Sequence, residues 1–515
     1  GIRDRVVTGV QTCALPIFCP GAQRRGCERR AADALAEHPG RGVGIAHPQC
    51  LPKRTISAGR RRPLVSAMAS QQRSRKALGL WMNGHFVGTW SLEAGGDVLQ
   101  YDSQWVQSPQ RRPLSLSLPF TPGNRPHKGN AVRFYFENLL PDSKDIRERV
   151  ARRYQVGATD AYTLLREVGR DCVGALQILP AGDEPPTDLR VQAEPMSDHA
   201  VAQRIRTLAQ PGALGDAGMA DDFRISIAGA QEKDALLFWQ GRWCRPLGAT
   251  PTTHIFKLPL GLIGNLQLDM QHSVENEWLC AQLLAAYGLP VAPCEILRFE
   301  DLKVLSVQRF DRRVWNGDTL LRLPQEDMCQ ATGTSPVLKY EADGGPGVER
   351  IMAVLDGSAQ RERDRFHFFM AQLLFWMLGA TDGHAKNFSL FLRPGESFEM
   401  TPLYDVLSVY PLLGEGPGKL SPHRARLAMA VRGKNAHWHL NKILRRHWQD
   451  VGTRYGIASP SGLTVDALIA KVVQHTPTAV HSVQQKLPQG FPQQVAQSIF
   501  DGLIQAAERL GRVYG

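Results

Sequence analysis

Gly379-Ala380-Thr381-Asp382-Gly383-His384-Ala385-Lys386-Asn387 decides how this chain is read. The stretch follows an apolar helical run, Phe366–Leu378, and precedes Phe388–Leu392, which reads as a strand. It is therefore a polar loop at a helix-to-strand junction. Asp382 and Asn387 stand five positions apart, the spacing of the protein-kinase catalytic loop. Phosphoryl transfer to a hydroxyl needs those two groups. A carboxylate takes the hydroxyl proton, and an amide oxygen one turn later reaches a metal ion. Asp-x4-Asn alone does not decide, because aspartate is also a common turn former.

The neighbouring residues narrow the choice. A hairpin of Phe388–Leu392 and Phe398–Pro402 through Pro394-Gly395 is expected to fold back and return Tyr404-Asp405 towards Asn387. Asp405 is then a second metal ligand, in the place of the metal-binding aspartate of kinases. It is followed by Val406 and Leu407 rather than Phe-Gly, which points to an atypical kinase. Upstream, Thr253–Pro259 is a strand with Lys257 set among apolar residues. A lysine there needs a partner if it is buried. ATP phosphates and a helix glutamate are the kinase solution, with Glu277 favoured over Glu275; an edge-strand lysine in water is the ordinary alternative. Arg224–Lys233 is a small-residue turn whose N–H groups could cradle phosphate, although it is neither a Walker A nor a G-x-G-x-x-G motif. By itself it could be any tight turn.

Further out, three segments are expected. Residues 77–180 open with Leu78–Met82 and Phe86–Trp90 around Asn83-Gly84, a type I′ hairpin signal. Leu114–Leu118 alternates as a half-buried strand should. Helical patterns run from Val132 to Tyr154 and from Ala161 to Val168, and Ala175–Leu179 is a strand. After a Pro- and Asp-rich linker, residues 197–322 carry a helix at 198–209, strands at Ala235–Trp239, His254–Leu258 and Val304–Arg309, and a helix at 273–287 stopped by Gly288. Residues 323–515 are mainly helical. The fold class is thus α+β, an atypical protein-kinase-like two-lobed plan. A strand-rich lobe at 197–322 precedes a helical lobe at 323–515, and an extra α+β subdomain sits at the N-terminal end.

Composition sets outer limits. The chain of 515 residues carries a net +12, but residues 1–67 alone hold 12 basic and 4 acidic residues, leaving +4 for the rest. That leader lacks periodicity, and Gly9–Ile17 resembles a translated sequencing adapter. It is expected to be non-native and disordered, with Met68 as the natural start. No run is apolar enough for a membrane span. Cys172, Cys244, Cys280, Cys294 and Cys329 are scattered, without a C-x-x-C pair. They read as reduced and buried, and hence as a cytoplasmic protein.

Taken together, Ile225–Lys233, His254–Pro259, Arg309–Arg312, Arg322–Gln330, Asp343–Gly347, Gly379–Asn387 and Tyr404-Asp405 resemble the blocks of the HipA family of serine/threonine kinase toxins, in the family's order. The resemblance covers Ala77 to the C-terminus. It implies Asp382 as the proton acceptor, with Asn387 and Asp405 holding Mg²⁺ and Lys257 touching the phosphates of ATP. It implies a phosphate loop of Ala228, Gly229, Ala230, Gln231, Glu232 and Lys233. Gln308, Arg309 and Phe310 would lie at the adenine hinge, where Gln308 departs from the glutamate expected. His384, Ala385, Lys386 and Tyr404 would complete the pocket. Ser226 would be an autophosphorylation site that switches the enzyme off. The family further implies a HipB-like helix-turn-helix antitoxin and operator DNA, contacted through the complex as a corepressor, with Lys442, Arg445, Arg446 and Arg454 as candidates to face DNA phosphates. It also implies a substrate in the translation machinery, an aminoacyl-tRNA synthetase, so that the toxin inhibits translation and promotes dormancy. Two rivals remain: a small-molecule kinase, and a non-catalytic pseudokinase acting only as corepressor. Retention of Lys257, Asp382, Asn387 and Asp405 together weighs against the second.

Overall fold

The computed structural model describes residues 77–186, 188–209, 231, 233–459 and 461–512. The leader 1–67 lies outside them, as do Ser226, Ala228, Gly229, Ala230 and Glu232.

The chain begins with β1 (Ala77–Met82), β2 (His85–Glu93), β3 (Gly96–Tyr101), α1 (Ser103–Gln107), β4 (His127–Lys128), α2 (Asn130–Glu137), α3 (Lys144–Arg153), α4 (Ala161–Val168) and β5 (Leu176–Pro180). The strands form one antiparallel sheet in the order β4-β3-β2-β1-β5. The Asn83-Gly84 turn behaves as its sequence demands. Met82 pairs with His85, and both turn residues have positive φ, 47° and 81°, the type I′ geometry that asparagine and glycine tolerate. The sheet packs on α2 through Trp90, which stacks on Phe136 with ring centroids 3.7 Å apart.

The helical patterns of Val132–Tyr154 are two helices, α2 and α3, with Pro141 in the break. One expectation in this segment is corrected. Leu114–Leu118 is not a strand but a turn-rich loop. Its alternation has another cause. Ser115 and Ser117 donate to the Gln330 carbonyl, the Leu116 N–H donates to the Glu326 carboxyl, and Tyr101 bonds the backbone of Leu114 and Leu118. Side chains thus satisfy groups that a β ladder would otherwise pair.

Next come β6 (Ala193–Pro195), α5 (Asp198–Ala209), β7 (Lys233–Trp239), β8 (Arg242–Pro246), β9 (His254–Lys257), the small hairpin β10 (Leu262–Ile263) and β11 (Leu268–Asp269), α6 (Ser273–Ala286), β12 (Cys294–Phe299) and β13 (Leu302–Gln308). A six-stranded sheet runs β12-β13-β9-β7-β8-β6. A ribbon of β14 (Arg312–Trp315) and β15 (Thr319–Arg322) leads out of it.

The remainder is helical around a small sheet. β16 (Gln325–Asp327) and α7 (Met328–Ala331) precede α8 (Val348–Leu355) and α9 (Arg361–Met377). β17 (Ser389–Leu392) and β18 (Phe398–Met400) form the expected hairpin, and β16 joins it as a third strand. A further pair, β19 (Arg426–Arg432) and β20 (Ala436–His439), was not expected. α10 (Arg445–Arg454), α11 (Val465–Gln484) and α12 (Gln493–Gly511) close the chain. The architecture is α+β. No described helix is long and apolar enough to cross a membrane. All five cysteines outside the leader are free and buried.

A buried ion cluster locks the N-terminal sheet to the second. Asp171 accepts from Arg309 at 3.4 Å, Arg312 at 2.8 Å and Arg322 at 3.1 Å. Asp311 pairs with Arg309 at 2.9 Å and accepts the Gly174 N–H at 2.7 Å. Burial would raise the Asp171 carboxyl, but Arg312, Arg309 and Arg322 hold it well below the usual carboxylate range.

A candidate phosphoryl-transfer site

Lys257 ends β9, and its ammonium is buried. It donates to Glu277 of α6 at 2.6 Å and also to Asp405. A buried cation with two carboxylate partners answers the question its sequence raised, and it selects Glu277. Glu275, two residues earlier on the helix, pairs with Lys303 instead. Burial and the nearby Asp405 push the Glu277 carboxyl up, against the pull of Lys257. The helix also holds the segment after Asp405, because the Asn276 amide exchanges two hydrogen bonds of 2.8 Å with the Ser408 backbone.

Lys233 of β7 stands directly across the ladder from Lys257. Like charges in facing strand positions repel. Burial pushes the Lys233 ammonium down to about 8, and Lys257 adds to the effect while Asp405 opposes it. Two facing lysines on one cleft suit a polyanion such as a nucleotide triphosphate. Lys233, Lys257, Gln308, Arg309, Phe310, Lys386, Tyr404 and Asp405 all line this cleft. Apolar residues share the lining, Ile255, Ala292 and Val307 with Leu139 and Val173 of the N-terminal segment. Phe310 and Tyr404 also line it, with ring centroids 5.7 Å apart. Apolar and aromatic surface for a flat base, with lysines for phosphates, is a lining that fits ATP.

The Arg309 guanidinium is committed to the ion cluster with Asp171 and Asp311, so its side chain is a structural anchor. Its N–H donates to the Thr253 carbonyl at 2.8 Å. Gln231 is not on the cleft wall; its amide donates to the Leu258 carbonyl at 2.6 Å.

Asp382, His384, Ala385 and Asn387 also stand back from the lining, in the loop that follows α9. That loop needs its glycines. Gly379 has φ 62°, and a Cβ on Gly383 would come within 2.4 Å of the Phe375 ring. The Tyr340 hydroxyl donates to Asp382 Oδ1 at 2.6 Å, and His384 Nε2 lies 3.9 Å from Oδ2. Burial, with the Lys339 charge, holds His384 neutral. Ala385–Asn387 form a single 3-10 turn. Asn387 Oδ1 accepts the His384 N–H at 3.1 Å, while its Nδ2 is buried without a hydrogen-bond partner among the described residues. The hairpin does return the chain, since the Tyr404 hydroxyl donates to the Lys386 carbonyl at 2.7 Å and also meets Ser389.

Asp405 itself has φ 68°. The left-handed region costs an ordinary residue about 1–2 kcal/mol, and aspartate tolerates it better than most. Strain of this kind at a buried carboxylate is typical of a functional position. The amide oxygen of Asn387 and the carboxylate of Asp405 are hard oxygen donors. No cluster of three or more His, Cys, Asp or Glu suited to a metal occurs among the described residues. That donor set fits Mg²⁺, which binds through one or two carboxylates and completes its shell with substrate phosphates and water.

Sequence reasoning missed three residues. Asp142, just before α3, accepts from Lys339 and Lys386, both at 2.8 Å. Burial opposes it, but the two lysines hold its carboxyl well below the usual range. Tyr340 is the third. Lys339-Tyr340 adjoins the Asp343–Gly347 block, a usable signal, whereas Asp142 reads only as a residue at a helix start.

Residues 225–480 match the HipA-like C-terminal domain, and residues 78–179 match the HipA N-terminal domain. The chain is 31% identical over 427 residues to the protein Y4mE of Sinorhizobium fredii, covering 79% of this chain and 92% of that protein. It is 27% identical over 420 residues to the serine/threonine-protein kinase toxin HipA of Shewanella oneidensis, covering 78% of this chain and 88% of the toxin. The solved complex of Shewanella oneidensis HipA with HipB and its operator DNA superimposes with a TM-score of 0.67 at 25% identity, covering 84% of this chain and 97% of that one.

Proposed function

The chain belongs to the HipA family of kinase toxins, and from that premise we propose that it transfers the γ-phosphoryl group of ATP to a protein serine or threonine in a Mg²⁺-dependent reaction. The observation that carries this reading is the buried Lys257–Glu277 pair joined to Asp405, with Lys233 facing it. A strand lysine held by a helix glutamate is the arrangement kinases use to hold phosphates.

Lys257 and Lys233 neutralise phosphate oxygens. Phe310, Tyr404 and the apolar wall take the base. Asn387 and Asp405 would hold Mg²⁺, which when bound would supply positive charge to the transferring phosphoryl group. Asp382 accepts the proton as the substrate hydroxyl oxygen bonds to phosphorus and ADP leaves. Removal of such a base typically costs about 10²–10⁴-fold. The family resemblance assigns the phosphate loop to Ala228–Lys233, of which Lys233 lines the cleft, and an autophosphorylation site to Ser226, where a phosphate of about −1.5 to −2 charge beside the nucleotide phosphates would switch the enzyme off.

The partners proposed are a HipB-like helix-turn-helix antitoxin and, through it, operator DNA, the assembly in which the Shewanella relative was solved. Arg445 is held by Asp466 at 2.7 Å and by the Leu510 carbonyl, and Arg454 donates to the Gly433 carbonyl. That leaves exposed Lys442 as the better candidate to meet phosphates. The proposed target is an aminoacyl-tRNA synthetase, so that phosphorylation stops translation and promotes dormancy, and the site of action is the cytoplasm. Incubation of the purified chain with γ-labelled ATP, followed by phosphosite mapping, tests the reading. Label on Ser226 and on a protein acceptor supports it. Label on a small molecule, or no label, contradicts it in favour of a small-molecule kinase or a non-catalytic corepressor.

A further inference from the structure

Tyr340 lies on the segment between α7 and α8, 42 positions from Asp382, yet its hydroxyl donates to Asp382 Oδ1 at 2.6 Å. Both of its neighbours are tied down. The Lys339 carbonyl accepts the Ala385 N–H at 3.2 Å, and the Lys339 ammonium is held by Asp142 at 2.8 Å. Glu341 accepts the Ala430 N–H at 2.6 Å and pairs with Arg432 at 2.6 Å. The Tyr340 carbonyl accepts the Gly345 N–H at 2.9 Å. Its ring meets His384 edge-on at 5.0 Å. The phenol is therefore delivered to the carboxylate by a backbone anchored on both sides.

From this geometry we infer that Tyr340 is a positioning residue for the catalytic carboxylate of Asp382, fixing the plane in which it meets the acceptor hydroxyl; the inference rests on Asp382 being the base. An aspartate side chain turns about two bonds and settles in discrete rotamers. The Tyr340 hydroxyl, donating to Oδ1, favours one of them and so fixes the plane of the carboxylate. Reaction geometry is sensitive to such placement, since an offset of about 1 Å costs about 100-fold. Tyr340 is not among the residues that line the nucleotide cleft, so its effect should fall on turnover and not on ATP binding.

Tyr340→Phe keeps the ring and deletes only the hydroxyl. The full chain carrying it is compared with wild type and with Asp382→Asn for autophosphorylation, for phosphorylation of a Ser/Thr peptide library, for ATP affinity and for melting temperature. The expected result is a kcat lower by about 10- to 100-fold, the loss that goes with one hydrogen bond to a charged group. ATP KM should stay within about twofold, with the variant still fully folded at the assay temperature. A kcat within twofold of wild type overturns the inference, as does a loss that tracks weakened ATP binding or unfolding at the assay temperature. If Asp382→Asn is itself active, the base assignment fails. If Asp382→Asn is inactive while Tyr340→Phe matches wild type, only the positioning role fails.

Discussion

Replacing Glu277 and Glu275 separately by glutamine tests how the cleft handles charge. The two glutamates are two residues apart on α6, and both are buried, so propensity and packing change little in either variant. Their partners differ. Glu277 accepts from Lys257 at 2.6 Å, whereas Glu275 pairs with Lys303 on the far side of the helix from the cleft lysine. Glu277→Gln keeps the shape and removes the charge that holds Lys257 to the helix. A hydrogen bond to a charged group contributes about 1.5–3 kcal/mol. If that energy is felt by the phosphates through Lys257, kcat/KM for ATP falls by about 10- to 150-fold, at 1.36 kcal/mol per factor of ten. Lys257 then leans more on Asp405, which would compete with the metal. Mg²⁺ titration of the variant should show a higher half-saturating concentration. Glu275→Gln should leave kcat/KM nearly unchanged, since its partner Lys303 is not among the residues that line the cleft. Steady-state kinetics with varied ATP at fixed acceptor peptide measures both. Equal losses in the two variants, or a silent Glu277→Gln, would refute the assignment of Glu277.

Asp171→Asn leaves Arg309, Arg312 and Arg322 around a neutral amide; breaking a buried ion cluster costs about 3–5 kcal/mol, and a denaturation midpoint equal to wild type would contradict the structural role given to it. Lys233, pushed down to about 8 by burial, is largely neutral in the nucleotide-free cleft at about pH 9, where a lysine in water is still charged. Phosphates favour the ammonium form, so ATP binding at that pH should take up close to one proton, fading towards none below about pH 7. Calorimetry in buffers of different ionisation enthalpy reads this directly, and zero uptake at the higher pH removes Lys233 from the phosphates. Asp405→Ala should abolish the Mg²⁺ dependence of nucleotide binding, and an unchanged dependence in calorimetry takes Asp405 out of the metal site.

The parts legible in the sequence were those whose chemistry is local. Asn83-Gly84 announces positive φ at two successive positions, and Lys257 among apolar residues announces a buried cation in need of anions. Asp382 and Asn387 carry their meaning in a spacing of five. What was hidden is long-range. Nothing near Asp171 indicates that Arg309, 138 positions on, completes its charge, and nothing near Asp142 indicates Lys386, 244 positions on. The alternation of Leu114–Leu118 misled because its serines answer to Gln330 and not to a neighbouring strand. The choice between Glu275 and Glu277 required knowing which face of α6 looks at β9. The positive φ of Asp405 has no sequence marker, because aspartate occurs as readily in ordinary backbone.

The central claim is that Asp382 is the base of a phosphoryl transfer. Single-turnover transfer from γ-labelled ATP by the full chain, wild type against Asp382→Asn, with ATP affinity measured on the same samples, tests it most directly. Transfer by the variant should be slower by about 10²–10⁴-fold with ATP affinity unchanged. Transfer at the wild-type rate in the variant would contradict it.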